Sequence, residues 1–171
     1  MPFRFDKFTI KAQEAVQGAV EQAASHGNPQ VTPVHLLRAL LAEREGIVRP
    51  LLEKIGVDPG HLERITEAEL SHLPKVSGGA QPQPDQELIK VFETATDESV
   101  TMKDEFVSTE HLLLGLAKAG GPEVAGLFAA RGLSVDKVEA ALTEVRGSRR
   151  VTSADPEATF DALGKYARDL T

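Results

Sequence analysis

The chain has no cysteine and no tryptophan, one tyrosine and only seven phenylalanines among its 171 residues. Without thiols there can be no disulfide framework, thiolate metal site or cysteine nucleophile, a composition that fits a reducing compartment, and a cytoplasmic protein is expected. So few rings leave little to stack on bases, and positive charge is also short. Nineteen Lys+Arg stand against 26 Asp+Glu, a net charge of −7, which disfavours a nucleic-acid partner. No run approaches the roughly 18 apolar residues of a membrane span. The start, Met1-Pro-Phe-Arg-Phe-Asp-Lys-Phe8, lacks a signal-peptide apolar stretch, so no membrane partner is expected either. What the chain does have is aliphatic. Hydrophobic residues make up 41% of it, enough for a packed core of Leu, Val, Ile and Ala.

Self-similarity organises the sequence. Val31-Thr-Pro-Val-His-Leu-Leu-Arg-Ala-Leu-Leu41 matches Val107-Ser-Thr-Glu-His-Leu-Leu-Leu-Gly-Leu-Ala117, with His35 and His111 in register, 76 residues apart. The offset carries Leu51 onto Leu127, Gly56 onto Gly132, Val16 onto Phe92 and Ala19 onto Ala95 without a gap. Two copies of one unit therefore make up the chain, repeat one over 9–73 and repeat two over 85–147, within a domain of 1–147.

Each unit reads as four helices. Thr9 can cap a first helix whose apolar positions Ala12, Ala15, Val16, Ala19, Val20 and Ala23 keep a 3.6-residue period up to Gly27-Asn-Pro. Thr32-Pro33 starts a second, with Leu36, Leu37, Leu40 and Leu41 as its buried stripe. A third runs from about Ile47 to Ile55 and ends where Gly56 can turn left-handed, and Asp58-Pro59 caps a fourth. Repeat two reuses these signals at Asp85, Ser108, Gly132-Leu133 and Ser134. No segment alternates with period two, so the expected fold is all-α, a pseudo-twofold pair of four-helix units. Each unit is small for an independent core, which predicts that the two share one.

Residues 74–84, rich in Gly, Pro and Gln, have the composition of a flexible linker. Residues 148–171 read as a second linker leading to a short amphipathic helix, Ala158 to Leu170, with Phe160, Leu163, Ala167 and Leu170 on one face. That stripe has no further chain to pack on, and a longer parent protein is expected.

Candidate chemistry is sparse. His35 and His111 lie outside any His-Glu-x-x-His arrangement, and a first-turn histidine that packs its ring and bonds the neighbouring cap explains their repetition. Glu67, Glu69, Asp97, Glu98, Asp104 and Glu105 show no spacing to a nucleophile. Arg146, Arg149 and Arg150 form the one basic cluster. No phosphate-binding Gly-x-x-x-x-Gly-Lys-Ser/Thr loop is present, so no catalytic residue, metal site or cofactor is assigned.

Phe8-Thr-Ile-Lys-Ala12, Thr32-Pro-Val-His-Leu-Leu37, Gly46-Ile-Val-Arg-Pro-Leu-Leu52, Leu73-Pro-Lys-Val76, Asp104-Glu-Phe-Val-Ser-Thr-Glu-His-Leu-Leu113 and Val145-Arg-Gly147 together resemble the paired Clp N-terminal repeat of the AAA+ unfoldases. Arg150-Val-Thr152 followed by Lys165-Tyr-Ala-Arg-Asp-Leu-Thr171 resembles the segment leading into the first ATPase domain of the ClpB disaggregases. The resemblance implies a mobile substrate-binding arm on a hexameric ATPase ring, capturing unfolded or aggregated polypeptide, with ATP and magnesium bound elsewhere in the parent. The alternative is an adaptor-docking N-domain of a Clp protease unfoldase. The resemblance also implies that Thr9, Asp104 and Glu110 handle substrate, beside an apolar groove where Val16 and Phe92 fall, whereas Glu14 departs from the apolar residue of some relatives. The expected groove lies where the first helices of the two repeats approach. Val16, Val91 and Phe92 would floor it, and Thr9, Asp104 and Glu110 at its edges would form an acidic rim selecting basic clients.

Overall fold

In the computed structural model the described residues are 5–76, 81–147, 151, 152 and 154. Two strings of four helices follow one another. Repeat one holds α1 (Ile10–Ser25), α2 (Pro33–Ala42), α3 (Val48–Ile55) and α4 (Pro59–Leu70). Repeat two holds α5 (Gln86–Thr101), α6 (Thr109–Ala119), α7 (Gly121–Ala129) and α8 (Val135–Arg146). The only other described elements are a 3-10 turn at Phe5–Lys7 and two two-residue strands, β1 (Gln30–Val31) and β2 (Gln83–Pro84). The all-α, pseudo-twofold expectation holds. No single helix among the described residues is long and apolar enough to cross a membrane.

The predicted caps form. Thr9 Oγ1 accepts the Ala12 amide at 3.2 Å, Asp85 the Leu88 amide at 2.8 Å and Ser134 the Lys137 amide at 3.3 Å. Gly56, at φ 99°, closes α3 in the left-handed conformation, where a side chain would be strained. The two histidines complete capping boxes, standing where glutamate or glutamine usually does. Nδ1 of His35 accepts the Thr32 amide at 2.9 Å, and Nδ1 of His111 accepts the Ser108 amide at 2.8 Å. Because an amide N–H can only donate, each ring carries its proton on Nε2.

The repeats are joined through exchanged backbone. Val31 pairs in parallel with Pro84, and at the same 76-residue offset Val107 bridges Phe8. The Thr9 amide donates to the Val107 carbonyl at 2.9 Å, and its counterpart Asp85 donates to the Val31 carbonyl at 3.0 Å. Each first helix thus starts from a strand held by the other repeat. Helix pairs cross as well: α3 packs on α8, and the equivalent α7 on α4. One continuous core runs through both units, with Leu36, Leu37, Leu40 and Leu41 of α2 and Leu112, Leu113 and Leu116 of α6 buried in it.

The connector between the repeats is anchored beside its middle. The linker 74–84 is tied down at both described ends: the Val76 amide donates to the Gly27 carbonyl at 2.8 Å, and Gln83–Pro84 pairs with Gln30–Val31. The period-two search missed these strands because two residues cannot show an alternation. Ser77-Gly-Gly-Ala80, the middle of the expected linker, and the helix expected from Ala158 to Leu170 lie outside the described residues.

Candidate functional site

On α1 the small residues Ala12, Ala15, Ala19 and Ala23 form the buried stripe. The flank carrying Val16 and Val20 is thereby turned to a cleft of about 680 Å³, which Leu88 and Phe92 of α5 also line. Phe5 and Ile10 stand at its mouth, 38% and 46% exposed, and are open apolar surface. Phe5 packs edge-on against Phe92 with ring centres 5.6 Å apart and against Phe8 at 5.1 Å, so three of the seven phenylalanines gather here. Gln13, Gln17, Gln81 and Gln83 supply polar edges, and Glu14 is the one ionisable side chain among the described lining residues.

Val16 and Phe92 sit together in this groove, as the sequence suggested. Val91 does not line it. It is fully buried against α6, where a Cβ built on Gly115 would stand 2.7 Å from the Val91 carbonyl oxygen. One step along a helix rotates a side chain by about 100°, which carries Val91 to the far side of Phe92. Thr9 is buried as the α1 cap, one residue before Ile10.

Asp104 and Glu110 form no rim. The Asp104 side chain is 0% exposed and that of Glu110 only 6%. Arg146 grips Asp104 with both ends of its guanidinium, at 2.7 and 3.0 Å, and lies 3.4 Å from Glu110. His111 Nε2 donates to Asp104 at 2.7 Å, the Val151 amide donates to it at 2.8 Å, and the Ser108 hydroxyl donates to Glu110. Burial pushes the Asp104 carboxyl up, but the hydrogen bonds from His111, Arg146 and Val151 outweigh it and hold the group well below the usual carboxylate range. The acidic rim is therefore replaced by amides and a single glutamate. Arg146 likewise leaves the basic cluster expected of 146–150 and becomes a buried counterion. Arg149 and Arg150 lie outside the described residues.

The same geometry recurs in neutral form in repeat one. Asn28 stands 76 residues before Asp104, and His35 Nε2 donates to its side-chain oxygen at 3.0 Å. Asn28 in turn donates to the Pro74 carbonyl at 3.0 Å, whereas Asp104 accepts from the Val151 amide, the opposite direction. In both repeats the residue facing the histidine ties down the chain that follows the fourth helix. Among the described residues no cluster of three or more histidine or carboxylate groups is arranged to hold a metal ion.

Sequence reasoning missed Phe5, Ile10 and the glutamine edges. Ile10 left a signal, an aliphatic residue on the face of α1 shared with Gln13, Glu14 and Gln17 and away from the alanine stripe.

Known proteins share this fold. The Clp repeat (R) N-terminal domain family matches residues 7–131. The chaperone protein ClpB of Mycobacterium leprae is 46% identical over 164 residues, which is 95% of this chain and 19% of that protein. That of Rhodopirellula baltica is 42% identical over 171 residues, 100% of this chain and 19% of the relative. The chain thus spans about a fifth of the length of these curated relatives. Among solved structures, the Hsp104 N-terminal domain of Candida albicans superposes with TM-score 0.79 at 26% identity, covering 88% of this chain and 99% of that one. The ClpV N-domain in complex with a VipB peptide shares the fold, at TM-score 0.66 and 18% identity, covering 84% of this chain and 92% of that one. With its two exchanged repeats and its match to the family over residues 7–131, the chain belongs to the Clp repeat N-terminal domain family.

Proposed function

We propose that this chain is the substrate-binding N-domain of a ClpB-type disaggregase and captures unfolded or aggregated polypeptide in the groove between α1 and α5. The observation that carries the reading is exposed apolar surface, Phe5 and Ile10, at the mouth of a cleft floored by Val16, Val20, Leu88 and Phe92. An unfolded client offers the complementary chemistry, aliphatic and aromatic side chains in no fixed order. The ClpV N-domain with its VipB peptide is a precedent for a peptide ligand on this fold. Nucleotide hydrolysis, with ATP and magnesium, falls to other parts of a hexameric, cytoplasmic parent, in keeping with the missing phosphate-binding loop.

Magnitudes favour weak capture. Burying about 400 Å² of apolar surface at roughly 25 cal/mol per Å² supplies near 10 kcal/mol. Association and ordering cost about 4–15 kcal/mol, which leaves at most about 6 kcal/mol, an affinity of tens of micromolar or weaker. Such an arm can release its cargo. An edge of glutamines with one carboxylate gives little charge selection, so binding should depend weakly on salt.

The test is an NMR titration of the chain with an unfolded, apolar peptide. Shifts concentrated on Ile10, Gln13, Val16, Gln17, Val20 and Leu88 are expected. Shifts confined to α3, α4, α7 or α8 would refute the site, and binding of folded adaptors without unfolded peptide would favour the docking alternative.

A further inference from the structure

Asp104, Glu110, His111 and Arg146 form a buried polar cluster outside the groove, and one of its hydrogen bonds leaves the helical body. The Val151 amide donates to Asp104 at 2.8 Å, the Val151 carbonyl accepts the Glu105 amide at 2.7 Å, and the Ala154 carbonyl accepts the Ile10 amide at 2.7 Å. Val151 itself is buried, 4% exposed. The chain beyond α8 therefore lies along two places at once, the turn before α6 and the first residue of α1, and Ile10 is also a groove residue.

We propose that Val151, Thr152 and Ala154 belong to a strap whose attachment is set by Asp104, with His111 and Arg146 as positioning residues that hold the Asp104 carboxylate in place. These groups fix where Val151 and Ala154 lie relative to the groove, and none of them contacts a client. Two features support this. From described residues the Asp104 oxygens accept four hydrogen bonds, three from His111 and Arg146, which locks the carboxylate so that the fourth points at the strap. A related tie exists in repeat one, where Asn28 donates to the carbonyl of Pro74, one residue before the position equivalent to Val151. A carboxylate needed only to neutralise Arg146 would have Glu110 beside it as a second anion and no need of a backbone donor from beyond the helices.

Amide hydrogen exchange on the ligand-free chain tests this independently of any client. The reporters are the Glu105 and Ile10 amides, whose acceptors belong to the strap. Val151→Pro deletes the strap's backbone N–H to Asp104 while leaving the Asp104–Arg146–His111 cluster intact, and Val151→Ala keeps that N–H. Exchange at Glu105 and Ile10 should rise at least tenfold in Val151→Pro and stay within about threefold of wild type in Val151→Ala, with the amides of α2 and α6 unchanged in both. Asp104→Asn should accelerate the two reporters more than it accelerates the α2 and α6 amides. The proposal fails if Val151→Pro leaves both reporters protected, if wild type already exchanges there at unprotected rates, or if Asp104→Asn loosens reporters and core by the same factor.

Discussion

His35 should make the fold acid-sensitive well above the range in which carboxylates titrate. The ring is 0% exposed, its Nδ1 accepts the Thr32 amide and its Nε2 proton goes to Asn28, so a second proton would enter a buried site that already faces a donor. Burial, with a smaller push from His26, lowers it to about 4, against about 6.5 for an unfolded histidine. The unfolded chain therefore binds more protons than the fold between these values, and stability falls as pH drops through that window. Linkage gives a loss of about 2 kcal/mol between pH 7.5 and pH 5, a large part of a net stability of roughly 5–15 kcal/mol. His35→Gln removes the titration and retains a residue able to bond the Thr32 amide in a capping box. Urea unfolding followed by circular dichroism at pH 7.5, 6.5, 5.5 and 5 would give wild-type and variant free energies, and groups common to both chains cancel in the difference. Wild type should lose about 2 kcal/mol more than His35→Gln. Parallel pH profiles would refute the buried, neutral histidine.

Further substitutions probe other parts of the framework. Gly115→Ala puts a Cβ 2.7 Å from the Val91 carbonyl oxygen, so α5 and α6 must separate, and calorimetry should show a loss of about 1–3 kcal/mol. Lys103 holds a left-handed backbone, φ 60°, where repeat one has Gly27 at φ 70°. Lys103→Gly should stabilise by about 0.5–1 kcal/mol in chemical denaturation, the strain relieved exceeding the added unfolded-state entropy. Arg146→Leu strands the buried Asp104 carboxylate and should cost about 3–5 kcal/mol at neutral pH. Because the folded-state value of Asp104 is depressed, its contribution is present above about pH 4 and is lost as pH falls further towards that lowered value, so the wild-type and Arg146→Leu unfolding curves should converge in strong acid.

Much of this architecture was legible because it is written locally. Caps lie within three residues of the amides they bind, alanine and leucine stripes have helical period, and the 76-residue offset announces two equivalent units. Even the histidines yielded to local reasoning, since Thr32 to His35 is a capping-box spacing. The Asp104–Arg146 pair joins residues 42 positions apart through the return of α8, and no sequence spacing encodes it. Acidic residues flanking Phe106-Val107 therefore read as a surface when they are interior. Val91 and Phe92 are both apolar on one helix, and only the close approach allowed by Gly115 decides which of them faces α6. The groove's glutamines come from opposite ends of the fold, Gln13 and Gln17 on α1, Gln81 and Gln83 beside β2, and meet only once the parallel Val31–Pro84 pairing sets the connector against α1.

The account rests on the groove, and the most direct measurement is the dissociation constant of an unfolded apolar peptide for the chain and its Ile10→Ser/Val16→Ser variant, read by fluorescence anisotropy. Each substitution removes about 1 kcal/mol of apolar contact with the peptide, so the pair should weaken binding about thirtyfold. Neither side chain belongs to the fully buried core, so the variant should remain folded and its melting temperature can be checked alongside. Affinity within twofold of wild type in a folded variant would contradict polypeptide capture between α1 and α5.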